Sequence, residues 1–435
     1  MKPIYTIAIL VLHVFSPASS AESILIENVR IFNGVDAKLA EGHVLIRDGI
    51  IERVSSEKIQ APAGAQVLEG GQRILSPGFI DLHAHLTLQY PFKQANFHTT
   101  VIGAYAAEAA RFYLHSGFTT VRGAGGTHPD FALAIESGHI VGPRVFPAGA
   151  IVSQTAGHGD FRLRHELHPQ LRANGVSRYM AHDKTVLVDG VPQTLAAVRE
   201  NLRLGATQIK IMGGGGVGSE YDPIHTLQPS PEEIRAAVQA AGDWGTYVMA
   251  HAYTSEAVQR LVENGVRSIE HALLIDDATA RIVKKNDVVI STQLKVYRTI
   301  QDIPGISENT LRKLKQVLAG QENLVKLIKK YKITTGFSTD LIYGDYVRIA
   351  QEFTERALYW EPHEVLRQAT SESAKVIRMS GKLNRHGLFG EIREGWVADL
   401  LLINGDPFED ISILEKPEES LALIMKKGKV IKNRL

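Results

Sequence analysis

Two stretches of short, alternating apolar and polar runs flank a long middle in which apolar strands alternate with amphipathic helices. Residues 24–76 contain ILIENVRIF, HVLIRDGIIERV and AQVLEG, cut by Asn33-Gly34 and Asp48-Gly49, which predict hairpins. Residues 386–435 repeat the style with LFGEIREG, ADLLLI and LALIMKKGKVIKN, and with turns at Asn404-Gly405-Asp406-Pro407 and Lys427-Gly428. Neither flank can build a stable core alone, so the two are predicted to pair into one small β-sandwich made from both chain ends.

In the middle, helix-period segments fall at residues 100–115, 192–205, 231–245, 255–265, 276–286, 308–331 and 363–379. Strand-like runs lie between them: FTTVRG, RVFPAG, QIKIMG, YVMAHA, SIEHA, VVISTQ and ITTGFSTD. Gly117, Gly205, Gly245 and Gly265 each close a helix before a strand, the expected αβ turn chemistry. Seven or eight such units in succession predict an α/β fold, a (β/α)8 TIM barrel over residues 77–385, between flanks at 22–76 and 386–435. Residues 161–190, polar and rich in His and Arg, fit no unit and read as a loop insertion at one barrel mouth, a candidate lid.

Residues 1–21 have a different character. Lys2 supplies a short positive region, residues 4–15 are mostly apolar, and Ser19-Ser20-Ala21 offers small residues for cleavage after Ala21. A cleaved signal peptide is expected, and with it a periplasmic or secreted protein. No later stretch approaches the length of a membrane span.

Composition narrows the chemistry. The 435 residues are 44% hydrophobic and 22% charged, ordinary for a soluble globular protein. With 48 Lys+Arg against 47 Asp+Glu, nothing points to nucleic acid or anionic lipid as a partner. A small molecule is the expected partner, and a homo-oligomer is compatible with the sequence. The absence of cysteine rules out disulfides, thiolate metal sites and a cysteine nucleophile. Any metal must be held by histidine and carboxylate.

Five predicted strand ends carry suitable groups. His83 and His85 in Asp81-Leu-His-Ala-His85 point to one side of a strand and can share a metal. The spacing alone is weak evidence, because 17 histidines in this length give roughly 0.7 such triplets by chance. Lys210 sits inside the apolar run QIKIM, where an ammonium is costly unless paired or modified. A lysine on the outer barrel face, snorkelling to water, is the bland alternative. His251 ends YVMAH and His271 ends SIEH, and each could be a satisfied core histidine. Asp340 closes ITTGFSTD, where a helix cap is the plain reading. Together they are more specific than any one, because barrel active sites collect residues from the C-terminal ends of several strands. Four histidines, a lysine and an aspartate are the ingredients of a two-metal hydrolytic site.

PGFIDLHAH, IKI, VMAHAY, SIEHA, GFSTD and the closing GEIREGWVADLLLINGDPFED resemble the amidohydrolase superfamily from residue 24 to the C-terminus. The pattern is most similar to its imidazolonepropionase-like branch, which includes zinc-dependent Xaa-Pro dipeptidases and related metallo-carboxypeptidases. The resemblance implies that His83, His85 and Asp340 bind one metal, that His251 and His271 bind a second, and that Lys210, as its N6-carboxylate, bridges both. Two divalent cations so held lower the pKa of a shared water toward 7, and the hydroxide formed attacks the amide carbon. Zinc suits imidazole with oxygen donors, although Mn, Co and Fe fit as well. Asp340 is implied to relay the water proton to the leaving nitrogen.

His158, in Gln154-Thr-Ala-Gly-His-Gly159, resembles the family's glycine-flanked histidine near the scissile carbonyl. Tyr253, two residues past His251, is a candidate for reaching a substrate carboxylate, Tyr221 is a further candidate for contacting substrate, and Arg298 could form a bidentate pair with a carboxylate. The expected activity is hydrolysis of an amide C–N bond in a dipeptide or N-acyl amino acid. Hydrolysis of a cyclic amide or imidazolone ring is the alternative. A non-enzymatic metal-binding protein is a remote third, because it predicts a lost ligand and none of the six is missing.

Overall fold

The computed structural model describes residues 23–91, 98–169, 180, 182–303 and 305–435. The expected signal peptide and residues 170–179 and 181 of the expected insertion lie outside the described residues. Five strands open the chain: β1 (Ser23–Ile31), β2 (Ala40–Arg47), β3 (Ile50–Ser55), β4 (Gln66–Glu69) and β5 (Ile74–Pro77). Nine follow through the middle: β6 (Phe79–Ala84), β7 (Phe118–Gly123), β8 (Arg144–Phe146), β9 (Ile151–Ser153), β10 (Thr185–Leu187), β11 (Ile209–Met212), β12 (Val248–Thr254), β13 (Ser268–Leu274) and β14 (Val289–Ser291). β15 (Leu400–Ile403), β16 (Leu421–Lys426) and β17 (Lys429–Asn433) close it.

The two flanks meet in one eight-stranded sheet of order β17-β16-β15-β5-β1-β2-β3, with β4 beside β1. β5 makes the join, antiparallel to β15 and parallel to β1. Asp48-Gly49 and Lys427-Gly428 form the hairpin turns expected of them, all four residues with positive φ. Residues 388–395, expected as a strand, are irregular with bends and a turn at 394–395 instead. A buried Arg144–Asp399 pair ties β8 to the residue that leads into β15.

The middle strands are parallel and almost continuously buried, as in a sheet covered on both faces. They form a six-stranded sheet of order β10-β9-β11-β12-β13-β14 and a three-stranded sheet β6-β7-β8. The extended segment 333–340 bonds toward both. Thr335 bridges Ile290 of β14, Phe337 accepts from the Leu82 amide, and the Asp340 amide donates to His83. Phe79, Phe118, Phe337 and Phe353 pack beneath these strands with ring centroids 4.5–5.8 Å apart for their closest pairs.

Helices alternate with the strands close to the predicted bounds. Ser255–Glu263, capped by the Thr254 side chain, turns Ala257, Val258, Leu261 and Val262 inward, the i, i+1, i+4, i+5 stripe of an amphipathic helix. The long helix expected over 308–331 is two, Glu308–Leu318 and Gln321–Tyr331. Gly320 lies at the break, and a Cβ there would stand 2.0 Å from the Leu273 carbonyl oxygen. The helix expected over 363–379 carries a π-helical segment, Gln368–Glu372, in its middle. No helix among the described residues is long and apolar enough to cross a membrane.

Candidate metal centre

β6, β11, β12 and β13 deliver His83, Lys210, His251 and His271, and all four side chains are buried. His85 follows β6 directly, and Asp340 ends the extended segment beside it. The Nε2 atoms of His83 and His85 lie 3.2 and 3.1 Å from Asp340 Oδ1. Potential ligand atoms of these three residues all fall within 4.8 Å of one another. They can hold a metal.

The other ring nitrogens are already engaged, which orients the ligands. His83 Nδ1 bonds Glu270 Oε2 at 2.8 Å, and His85 Nδ1 bonds the Gly125 carbonyl oxygen at 2.9 Å. Each Nε2 is thereby left for a cation. His271 Nδ1 meets Gln293 Oε1 at 2.7 Å and Tyr297 Oη at 2.9 Å, and His251 Nε2 meets the Gly215 carbonyl oxygen at 3.2 Å. That leaves His271 Nε2 and His251 Nδ1 as donors, with ring centroids 4.5 Å apart. Burial pushes both imidazoles down, His271 to about 3, so they are neutral and able to ligate. Asp340 is held well below the usual carboxylate range, because the histidines overcome the opposing effect of burial. His271 and Asp340 both carry left-handed backbone, φ 77° and 56°, a local strain that recurs at functional sites.

Lys210 is 1% exposed. Burial lowers its amine to about 8, against the raising effect of Glu270 and Asp340. The outer-face alternative for this residue is thereby excluded.

His158 stacks on His251 with ring centroids 4.1 Å apart, and its Nδ1 lies 2.6 Å from Ser219 Oγ and 3.5 Å from Asp222 Oδ2. Gly216 makes room for it: a Cβ there would stand 2.0 Å from His158 Cε1. Of the run Gly213–Gly216, Gly216 thus clears the space that the His158 ring occupies. A cavity opens over the centre, lined by His85, His158, His251, His271 and Asp340 together with Tyr253, Tyr297, Phe161 and Lys184. Two expected substrate contacts do not reach it. Tyr221 is 46% exposed with its ring beneath the Arg164 guanidinium, and Arg298 Nε pairs with Glu355 at 3.1 Å. The loop after Gly216 carries Tyr221 outward, and the Glu355 carboxylate takes the arginine's charge.

Sequence reasoning missed the groups that hold the centre from behind. Asp81 accepts from the His83 and Thr339 amides and from Thr339 Oγ1, fastening β6 to the segment that ends in Asp340. Arg122 clasps Glu270 with neither exposed. Both are charges inside apolar runs, the same signal that singled out Lys210. Lys184, in the insertion, is a further buried cation at the cavity wall.

Known proteins resemble this chain along most of its length. The chain is 28% identical over 409 residues to ochratoxinase from Aspergillus niger, covering 91% of this chain and 83% of the relative. A crystal structure of an amidohydrolase superimposes with a TM-score of 0.87 at 35% identity, covering 95% of this chain and all of the other. A prolidase in complex with N-methylphosphonate-L-proline does so with 0.87 at 32% identity, covering 94% of this chain and all of the other. The sequence profile of the amidohydrolase family matches residues 74–432, the whole span that carries the histidines, Lys210 and Asp340, and the chain belongs to that family.

Proposed function

We propose that this chain is a binuclear metal-dependent hydrolase of amide C–N bonds, acting on a dipeptide or an N-acyl amino acid. The observation that carries it is the meeting of His83 and His85 Nε2 at one oxygen of Asp340, with His251 and His271 beside them. His83, His85 and Asp340 would hold one divalent cation, His251 and His271 the other, and Lys210 both. Zinc is the first choice of metal. The buried amine of Lys210 suits that role: in its neutral form the nitrogen adds CO2, forming a carbamate and releasing one proton. Such cations, when bound, supply Lewis-acid polarisation of the scissile carbonyl and a water acidified toward neutral pKa.

The chain's own residues do the rest. Asp340 takes the proton of the attacking water and returns it to the leaving nitrogen. His158, fixed between His251 and Gly216, donates a hydrogen bond to the carbonyl oxygen as negative charge develops there. Tyr253, whose hydroxyl is buried at the cavity wall, orients the bound substrate. The prolidase and ochratoxinase relatives support an amide substrate.

The proposal extends to the frame. Residues 77–385 would form a closed (β/α)8 barrel, supported by the bonding of 333–340 toward both β14 and β6, and the one eight-stranded sheet shared by residues 22–76 and 386–435 would fold over into a β-sandwich beside it. Export to the periplasm or beyond, after removal of residues 1–21, completes it.

A dipeptide and N-acyl amino acid library screened for amine release, with Asp340→Asn as control, tests the activity. Release by the wild type and loss of at least about 1,000-fold in the variant is expected. Equal rates in the two would end the role given to Asp340.

A further inference from the structure

Lys184 is 2% exposed and lines the same cavity as His85, His158 and Asp340. It leads into β10, and its carbonyl oxygen accepts from the Ile151 amide, so its backbone is fixed to the edge of the parallel sheet. Its Nζ donates to the Thr87 carbonyl oxygen at 2.5 Å and lies 5.0 Å from the centroid of the Tyr90 ring. Among the described residues no carboxylate forms an ion pair with it, although every other wholly buried cation of the centre has one or lies in the field of one. Burial alone accounts for the fall of its amine to about 7. A buried ammonium with one carbonyl partner and a ring face has two donors to spare and no counter-charge. Away from the metal centre the cavity is walled largely by apolar and aromatic side chains, so beyond the metals themselves Lys184 is the place in it where an anion gains most.

Resting on the amide-hydrolase reading above, we propose that Lys184 is a specificity-determining residue that binds the substrate's free carboxylate. The enzyme therefore selects amides that carry a carboxylate, N-acyl amino acids and dipeptides with a free C-terminus, over neutral amides. Arg298, facing Glu355, has no part in this.

The test uses the metal-loaded enzyme and a ligand pair that needs no turnover, 3-phenylpropanoate and 3-phenylpropanamide. Calorimetric titration should show the wild type binding the carboxylate at least about 10-fold more tightly than the amide, the scale of one charge-assisted hydrogen bond. Lys184→Met should lose that preference while binding the amide as before, and Lys184→Arg should keep part of it. In kinetics on an N-acyl amino acid, Lys184→Met should raise KM with kcat little changed. A wild type without preference, a Lys184→Met protein that keeps the preference in full (the metals alone then supply it), or one that binds both ligands equally more weakly, as loss of a structural lysine would give, overturns the proposal. An enzyme that keeps the carboxylate preference but hydrolyses no amide would instead overturn the hydrolase reading and leave Lys184 its ligand.

Discussion

Glu270 Oε2 accepts at once from Arg122 Nη2, at 2.9 Å, and from His83 Nδ1, at 2.8 Å, with all three side chains no more than 1% exposed. One carboxylate thus neutralises a buried guanidinium and fixes the ring of a candidate metal ligand. The Arg122 guanidinium, with His83, holds Glu270 below the usual carboxylate range despite its burial.

Glu270→Gln removes the charge and keeps the shape. Arg122 is then buried without a counter-ion, which costs about 3–5 kcal/mol. His83 also loses its anionic partner, and metal affinity should drop about 10- to 100-fold. Urea unfolding and chelator-competition titration measure the two effects. A variant as stable as the wild type, with unchanged metal affinity, would show that the pair does neither job.

Gly216→Ala should act on His158 and leave the fold intact. The new methyl group collides with the imidazole and forces it off His251. The expected result is a fall in kcat/KM of about 100- to 1,000-fold, the worth of one oxyanion donor, with metal content retained. Undiminished activity would remove His158 from the proposed chemistry.

His386 gives a pH signature at the join between the end sheet and the parallel strands. Burial first, and then the nearby Arg144, push it from the ordinary 6.5 down to about 4. Between those values the unfolded chain takes up a proton that the folded chain refuses. Stability should therefore fall as pH drops from about 6.5 to about 4, and level off below. Thermal unfolding across that range should show a shallower slope for His386→Gln than for the wild type. Identical slopes would mean that His386 titrates normally in the folded protein.

Much of this protein was legible as sequence. His83, His85, His251 and His271 stand at strand ends because alternation and run length mark the strands, and Lys210 stands out because a charge interrupts an apolar run. Arg122 and Glu270 carry the same mark, yet they are partners across 148 residues, and no local pattern pairs them. The split at Gly320 was hidden because the clash that demands glycine comes from Leu273, on a different element. Tyr221 and Arg298 show a limit of another kind: sequence placed them near the site, but the direction of a loop and the reach of Glu355 decide where they point. Lys184 was passed over inside an insertion read as a lid, where its burial against Thr87 and Tyr90 is a tertiary fact.

The central claim is a two-metal centre bridged by a modified Lys210. Metal analysis of the purified protein, joined to intact-mass or crystallographic inspection of Lys210, tests it most directly. Two divalent ions per chain with a carboxylated Lys210 are predicted; one ion or fewer, with Lys210 unmodified, would contradict it.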